Sequence, residues 1–222
     1  MTAYYDPLAA LFGYNSGTIQ NLTVDTGYNY LFGGDYTAAI CAVNRGTIHN
    51  CTSKGYIYGY VDRTFVGGIT AVNFGTITNC TNTAIVGGGA DACGGGIAGV
   101  SAAGTISDCT DAPKQQTELC AGGIVGLNYQ SSIDRCTNTG VIYSDSPKGY
   151  TGGVAGLNNG ILSNSLDTAS ITSTGLSGGV AGYVFTNTDT GMTAQVRSTL
   201  DTSGNVVYGK NTGGFLSGNY YK

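Results

Sequence analysis

Gly67-Gly68-Ile69-Thr70-Ala71-Val72-Asn73-Phe74-Gly75-Thr76-Ile77-Thr78-Asn79-Cys80-Thr81 decides the fold, because the same phrase returns all along the chain. The slot held here by Ala71 is filled by Gly13, Ala42, Gly99, Gly126, Gly156 and Gly182 in the other copies. Successive slots lie 29, 29, 28, 27, 30 and 26 residues apart, and a partial eighth copy opens at Gly213-Gly214-Phe215. Self-similarity at a near-constant period of this length outranks local propensity, since it marks a unit that stacks on copies of itself.

Inside the phrase, apolar residues stand singly among Gly, Asn and Thr and not at helical spacing, the pattern of short strands parted by corners. Stacked copies give three apolar columns. The first holds Leu11, Ile40, Ile69, Ile97, Ile124, Val154 and Val180; the second holds Ile19, Ile48, Ile77, Ile106, Ile133, Leu162 and Val196; the third holds Ile57, Val86, Ile142 and Ile171. One coil cannot bury such residues alone, whereas stacked neighbours can, and each buried Ile or Val then contributes roughly 1.5–3 kcal/mol. The expected fold is all-β: a parallel β-helix, three-sided, of seven to eight coils of 26–30 residues. Right-handed winding is the usual choice for coils this long. At a strand spacing of about 4.8 Å the rod would be roughly 40 Å long. A single domain over 1–222 is expected, with clear repeats over about 9–182 and divergent final coils over 183–222.

The remaining letters read as corners. Gly-Gly pairs such as Gly95-Gly96 and Gly122-Gly123 fit sharp bends or close backbone approach. Asn-x-Gly at Asn15, Asn44, Asn73 and Asn158 fits a corner with positive φ. Asn21, Asn50, Asn79 and Asn164 form a further column, expected to hydrogen-bond from coil to coil. Pro113-Lys114-Gln115 replaces the third apolar step of its copy, which predicts a local bulge, and the seventh copy carries extra residues around Val184–Ala194 at a different corner.

Composition narrows the function classes. With 38 Gly, 41% apolar and only 10% charged residues, the chain is turn-dense and ordered. A net charge of −4 with nine scattered Lys and Arg argues against nucleic acid. No segment approaches the ~18 consecutive apolar residues of a membrane span, and the start Met1-Thr2-Ala3-Tyr4-Tyr5-Asp6 lacks the basic and apolar regions of a signal peptide.

Gly95-Gly96-Ile97-Ala98-Gly99, Gly122-Gly123-Ile124-Val125-Gly126-Leu127-Asn128 and Gly152-Gly153-Val154-Ala155-Gly156-Leu157-Asn158 resemble the GLUG-motif repeats of bacterial surface proteins. The resemblance covers roughly residues 9–182. It implies a non-catalytic repeat region of a secreted or cell-surface attached bacterial protein, as in adhesin-like chains and IgA-specific metalloendopeptidases, whose zinc chemistry lies outside the repeats. Copies one to three depart from the pattern, with Ala9-Ala10 for Gly-Gly and Ala42 and Ala71 for the later Gly.

Chemistry-bearing residues are sparse. Cys51, Cys80, Cys109 and Cys136 share one column with Leu22 and Ser165, so the slot wants a small or apolar filler, and close Cys pairs of the zinc-site kind are missing. Cys93 and Cys120 share another column with Phe65, Tyr150 and Leu176 and are the best-placed pair for a disulfide. His49 occupies a slot that also accepts Gln20, Thr78, Ser107, Asp134 and Ser163, which reads as solvent-facing. No metal and no cofactor is expected. A polysaccharide-active β-helix enzyme would need clustered acids. The 13 acids include one Glu and the Asp residues are dispersed; the closest pair within one coil is Asp108 and Asp111, beside Arg135 in the next, and a salt bridge between coils explains Asp108 and Arg135. Ice binding would use the Thr47, Thr76 and Thr105 column, but Thr is also the ordinary filler of an exposed strand face.

Binding on a solenoid sits where the repeats disagree. Segments 28–36, 58–65, 86–93, 111–119 and 143–150 vary most and should stack along one corner. Tyr58, Tyr60 and Tyr143, with Arg63, are the candidate ligand-binding residues there, suited to host glycan or protein. The expected role is an adhesin stalk or spacer. The rival is a structural subunit that self-associates end to end through the unpaired strand edges of its terminal coils.

Overall fold

The computed structural model describes residues 7–27, 31–186, 193–197, 200–201, 208–217 and 220–221. Among them the chain is all-β and winds as a parallel β-solenoid, with sheets of 7, 14 and 12 strands running along the rod. One turn shows the plan. Phe65–Gly67 lies in the first sheet, Thr70–Asn73 and Thr76–Thr78 lie in the second, and Thr81–Gly88 lies in the third. The first of these strands pairs with Tyr36–Ala38 of the coil before and with Cys93–Gly95 of the coil after.

The apolar columns are real and in register. Ile48, Ile77, Ile106, Ile133 and Leu162 face one another in successive coils and are fully buried. From Ile40 to Val180 the first column is equally buried, but Leu11 departs from it and is 50% exposed. The cause is positional: among the described residues this coil has a following coil to pack against and no preceding one. Ile19 is half-buried for the same reason.

The third column corrects the sequence reading twice. It begins one coil earlier, at Leu31 opposite Ile57, and it does not lapse at residues 113–115. Asn82 faces Asp111 and Val86 faces Gln115, so register holds on both sides of Pro113 and no bulge forms. Pro113 falls in a break between Thr110–Asp111 and Lys114–Gln116, where no ladder hydrogen bond needs its absent N–H. Gln115 itself is the fully buried filler of the column, between Val86 and Ile142.

The asparagines exchange the roles expected of them. Positive φ falls on Asn21, Asn50, Asn79 and Asn164, with Asp108 and Arg135 in the same column, and not on the Asn-x-Gly set. The rung from Asn50 Nδ2 to Asn21 Oδ1, 2.6 Å, lies in the exposed column. The buried ladder runs instead through the Asn-x-Gly positions: Asn15 Nδ2 donates to Asn44 Oδ1 and Asn44 Nδ2 to Asn73 Oδ1, each at 2.8 Å. Asn73 continues to Ser101 Oγ at 3.2 Å, and Asn128 donates to Asn158 at 2.7 Å. Each of Asn44, Asn73 and Asn158 also accepts the N–H of the glycine two residues on, which closes the corner without left-handed backbone.

Between the first and second sheets the chain doubles back so tightly that backbones touch. A Cβ at Gly126 would lie 2.7 Å from the Gly99 carbonyl oxygen, 2.8 Å from Gly94 N and 3.0 Å from the Cys120 carbonyl oxygen, none of which can yield cheaply. The same slot in the first coil is open, since a Cβ at Gly13 meets only Leu8 side-chain atoms at 3.6 Å or more. Gly126→Ala should therefore cost about 1–3 kcal/mol by overpacking, while Gly13→Ala should stay within about 0.5 kcal/mol. Denaturant unfolding of the two variants checks this, and equal losses would refute the close-approach account.

Candidate functional site

The outer face of the third sheet and the corner that follows it gather the aromatic residues of the variable segments. Strand Thr52–Gly59 alternates, sending Ile57 into the core and Tyr56 and Tyr58 outward. The outward column holding Tyr58 runs Phe32, Tyr58, Gly87, Gln116, Tyr143. The Phe32 and Tyr58 rings meet edge to face with centroids 6.1 Å apart. Tyr58 leans over Gly87, the one position of this column without a side chain, since a Cβ there would lie 2.7 Å from its ring. Tyr60 follows the strand and is 59% exposed, with its N–H held by the Gly33 carbonyl at 3.0 Å. Arg63 is exposed at positive φ in the same corner, its N–H on the Ala90 carbonyl.

These residues form two groups. Tyr58, Tyr60 and Arg63 share one coil and its corner. Tyr143 belongs to the Tyr58 column but stands three coils away, about 14 Å along the rod, with Lys114 Nζ 5.4 Å from its ring centroid. Sequence reading missed Ile85, Lys114 and Val141, which occupy the next outward column beside Tyr56. The period-two alternation in Tyr56-Ile57-Tyr58 and Val141-Ile142-Tyr143 was the available signal. The variable corner is knitted from coil to coil, with Thr64 Oγ1 donating to the Gly34 carbonyl at 2.7 Å and Tyr150 N–H to the Leu119 carbonyl at 2.8 Å. Residues 28–30 of the first variable segment and 187–192 of the seventh-copy insertion lie outside the described residues.

Directly beneath this face lies a buried polar ladder. Ser53 Oγ donates to Asn82 Oδ1 at 2.6 Å, Asn82 Nδ2 to Asp111 Oδ1 at 2.8 Å, and Asn138 Nδ2 to Asp167 Oδ1 at 2.8 Å. Gln115 Nε2 bridges both Asp111 oxygens at 3.0 and 2.9 Å. Complete burial pushes the Asp111 carboxyl well above the usual carboxylate range; the amide donors pull the other way, and the neighbouring Asp167 adds to the rise. Asp111 is therefore no partner of Asp108. Asp108 points outward and takes a two-pronged salt bridge from Arg135, Nε–Oδ1 2.7 Å and Nη2–Oδ2 2.8 Å, with Asp134 also on the guanidinium. Arg135 holds the Asp108 carboxyl below its ordinary range.

The cysteines are structural. Cys51, Cys80, Cys109 and Cys136 are buried, and the sulfurs of Cys80 and Cys109 accept the N–H of Cys51 and Cys80 at 3.4 Å. Ser165 Oγ does the same for Cys136 at 3.1 Å, which explains the serine in that slot. Burial raises the Cys51 thiol and pushes Cys41 up to about 11, which disfavours the nucleophilic thiolate. Cys93 and Cys120 are disulfide-bonded in register on the outer face of the first sheet, Cα–Cα 4.4 Å. His49 Nδ1 sits 2.9 Å from Thr78 Oγ1 on the next coil. Among the described residues no three His, Cys, Asp or Glu side chains are grouped to hold a metal ion.

Residues 117–143 match the GLUG motif. The matched stretch is one full turn of the solenoid, from the corner before Cys120–Gly122 to the third-sheet strand Val141–Ser144. Among solved structures, a Bacteroides ovatus protein described as a "putative immunoglobulin A1 protease" superposes with a TM-score of 0.55 over 71% of this chain at 19% identity. The chain spans 60% of that protein's length, and at this identity the likeness is one of fold. No curated protein matches.

A carboxyl whose folded pKa lies above its unfolded value keeps its proton in the fold while the unfolded chain ionises. Stability from Asp111 is then complete below the ordinary carboxylate range and is lost as pH rises from that range toward the raised folded pKa. Asn fits the slot, since Asn82 and Asn138 occupy it in the adjoining coils. Asp111→Asn should raise the neutral-pH melting temperature and flatten its fall above pH ~4. An unchanged pH profile would show that Asp111 is ionised in the fold.

Proposed function

We propose that this chain is a non-catalytic repeat module of a secreted or surface-attached bacterial protein, an adhesin stalk or spacer that presents its aromatic corner to host glycan or protein. The observation that carries the reading is the division of labour in each coil. Chemistry-capable groups such as Asp111 and the thiol column are buried and structurally committed, while Tyr58 and Tyr60 stand on a rigid face beside Arg63. The GLUG match and the solenoid likeness support a bacterial surface setting.

The chemistry of the corner favours sugars or a polar protein surface. Tyrosine rings stack on the C–H faces of pyranose rings and offer a hydroxyl at the rim, and a guanidinium supplies charged donors for carboxylate or sulfate groups. The rigid ladder beneath limits the entropy lost on binding. Immobilised mucin glycans and immunoglobulin A1 are suitable probes for the full chain. Tyr58→Ala/Tyr60→Ala should weaken capture by about tenfold or more, with an unchanged circular dichroism spectrum. Unchanged capture by the folded double variant would remove the corner as the binding surface.

A further inference from the structure

The buried ladder beneath the third sheet brings a hydroxyl, an amide and an acid together. Ser53, Asn82 and Asp111 face one another in three successive coils, and all three are fully buried. Ser53 Oγ donates to Asn82 Oδ1 at 2.6 Å, which sets a hydroxyl oxygen beside the carboxamide carbon. The Ala84 N–H donates to the same Oδ1 at 3.0 Å and favours negative charge on it. On the other arm of the amide, Asn82 Nδ2 lies 2.8 Å from Asp111 Oδ1. Bare backbone backs the group, since a Cβ at Gly68 would stand 2.4 Å from Asn82 Cγ.

These are the parts of an acyl transfer: a nucleophile, a polarised carbonyl and an acid at the leaving nitrogen. The same parts occur separately in other coils. Ser131 Oγ donates to Asn128 Oδ1 at 2.6 Å, but Asn128 Nδ2 faces the Asn158 amide and not an acid. Asn138 Nδ2 faces Asp167 Oδ1 at 2.8 Å, but the rung before Asn138 is Asp111 and not a serine. Burial disfavours the Asp111 carboxylate, so this group keeps a proton to give. Burial also keeps out water, the competing nucleophile.

We propose that Ser53 and Asn82 join in an ester between adjacent coils, formed by the chain on itself with Asp111 as the acid. Ser53 Oγ bonds to Asn82 Cγ, and its proton passes to Oδ1, toward which it already points. Once Cγ is tetrahedral the nitrogen is basic; it takes the Asp111 proton, the Cγ–Nδ2 bond breaks, and ammonia leaves. The proton on Oδ1 returns to the Asp111 carboxylate as the carbonyl re-forms. One C–O bond replaces one C–N bond, nothing is oxidised or reduced, and no co-reactant is needed. The event happens once per chain, so the module remains non-catalytic toward other molecules. Each coil is held by its neighbours alone, and a covalent rung keeps these two from parting when the rod is pulled.

Mass spectrometry of the full-length chain, with its disulfide reduced, tests this. The folded protein should weigh one ammonia less than its sequence. After tryptic cleavage residues 46–54 should remain bonded to residues 64–114, and hydroxylamine, which cleaves esters, should part them. Ser53→Ala should restore the full mass, and so should Asp111→Asn, each with an unchanged circular dichroism spectrum. Full mass in the folded unaltered chain would overturn the proposal, as would ammonia loss that survives Ser53→Ala. Loss that survives Asp111→Asn would overturn the role of the acid. Because Asp111→Asn removes the bridge together with the ionisable group, its melting comparison belongs in a Ser53→Ala background, where ionisation alone differs. The surface-module reading stands whichever mass is found, because binding at Tyr58 and Tyr60 does not require the bridge.

Discussion

Parallel stacking in strict register is the interaction on which everything else in this protein depends. When coils follow one another at about 4.8 Å, each side chain meets the residue one repeat away, and the sequence need only place like on like. Isoleucine on isoleucine then excludes water. Asparagine on asparagine becomes a directional chain of 2.8 Å hydrogen bonds. Even cysteine acquires a purpose, its sulfur accepting a backbone N–H from the coil before. A repeat slipped by one residue would send the Ile77 column outward and thrust Thr76 and Thr78 into the core, which is why register is so firmly specified.

The constraint also decides where function can reside. Inward positions are taken up by packing, including the acid that would otherwise attract most interest: Asp111 is fully buried, fixed by Asn82 and Gln115, and held toward its neutral form by burial. Outward positions on the strands are free to vary, and the corner between the third and first sheets varies most. The result is a rigid rod with one adaptable edge, marked by Tyr58, Tyr60 and Arg63.

The fold was almost wholly legible because a repeat states its own register. The columns through Ile69 and Ile77 could be written down from spacing alone, as could the Cys93–Cys120 pairing and the Asp108–Arg135 bridge. What spacing could not convey was direction. Asp108 and Asp111 are three residues apart yet face opposite sides of the wall, because the left-handed backbone at Asp108 turns the corner between them. The two asparagine columns are equally regular in sequence, and only the closing of the corner by Asn Oδ1 shows which is internal. Gln115 does not read as core in the sequence, because its burial depends on a buried partner, Asp111, whose inward direction spacing does not convey. For the candidate site, the residues were legible but their grouping was not, since Tyr143 shares a column with Tyr58 at a distance of three coils.

Hydrogen exchange on the intact chain tests the stacking account most directly. Amides that bond from one central coil to the next, such as Ile69 to the Ile97 carbonyl and Ile97 to the Ile124 carbonyl, should exchange only through global unfolding. Those of the first described coil, such as Leu11 and Phe12, whose side chains are 50% and 41% exposed, should exchange far sooner. Slow exchange that rises from the first coil to a plateau in the centre is the predicted result. Rapid exchange at Ile69, Ile97 and Ile124 in the folded protein would contradict the in-register solenoid itself.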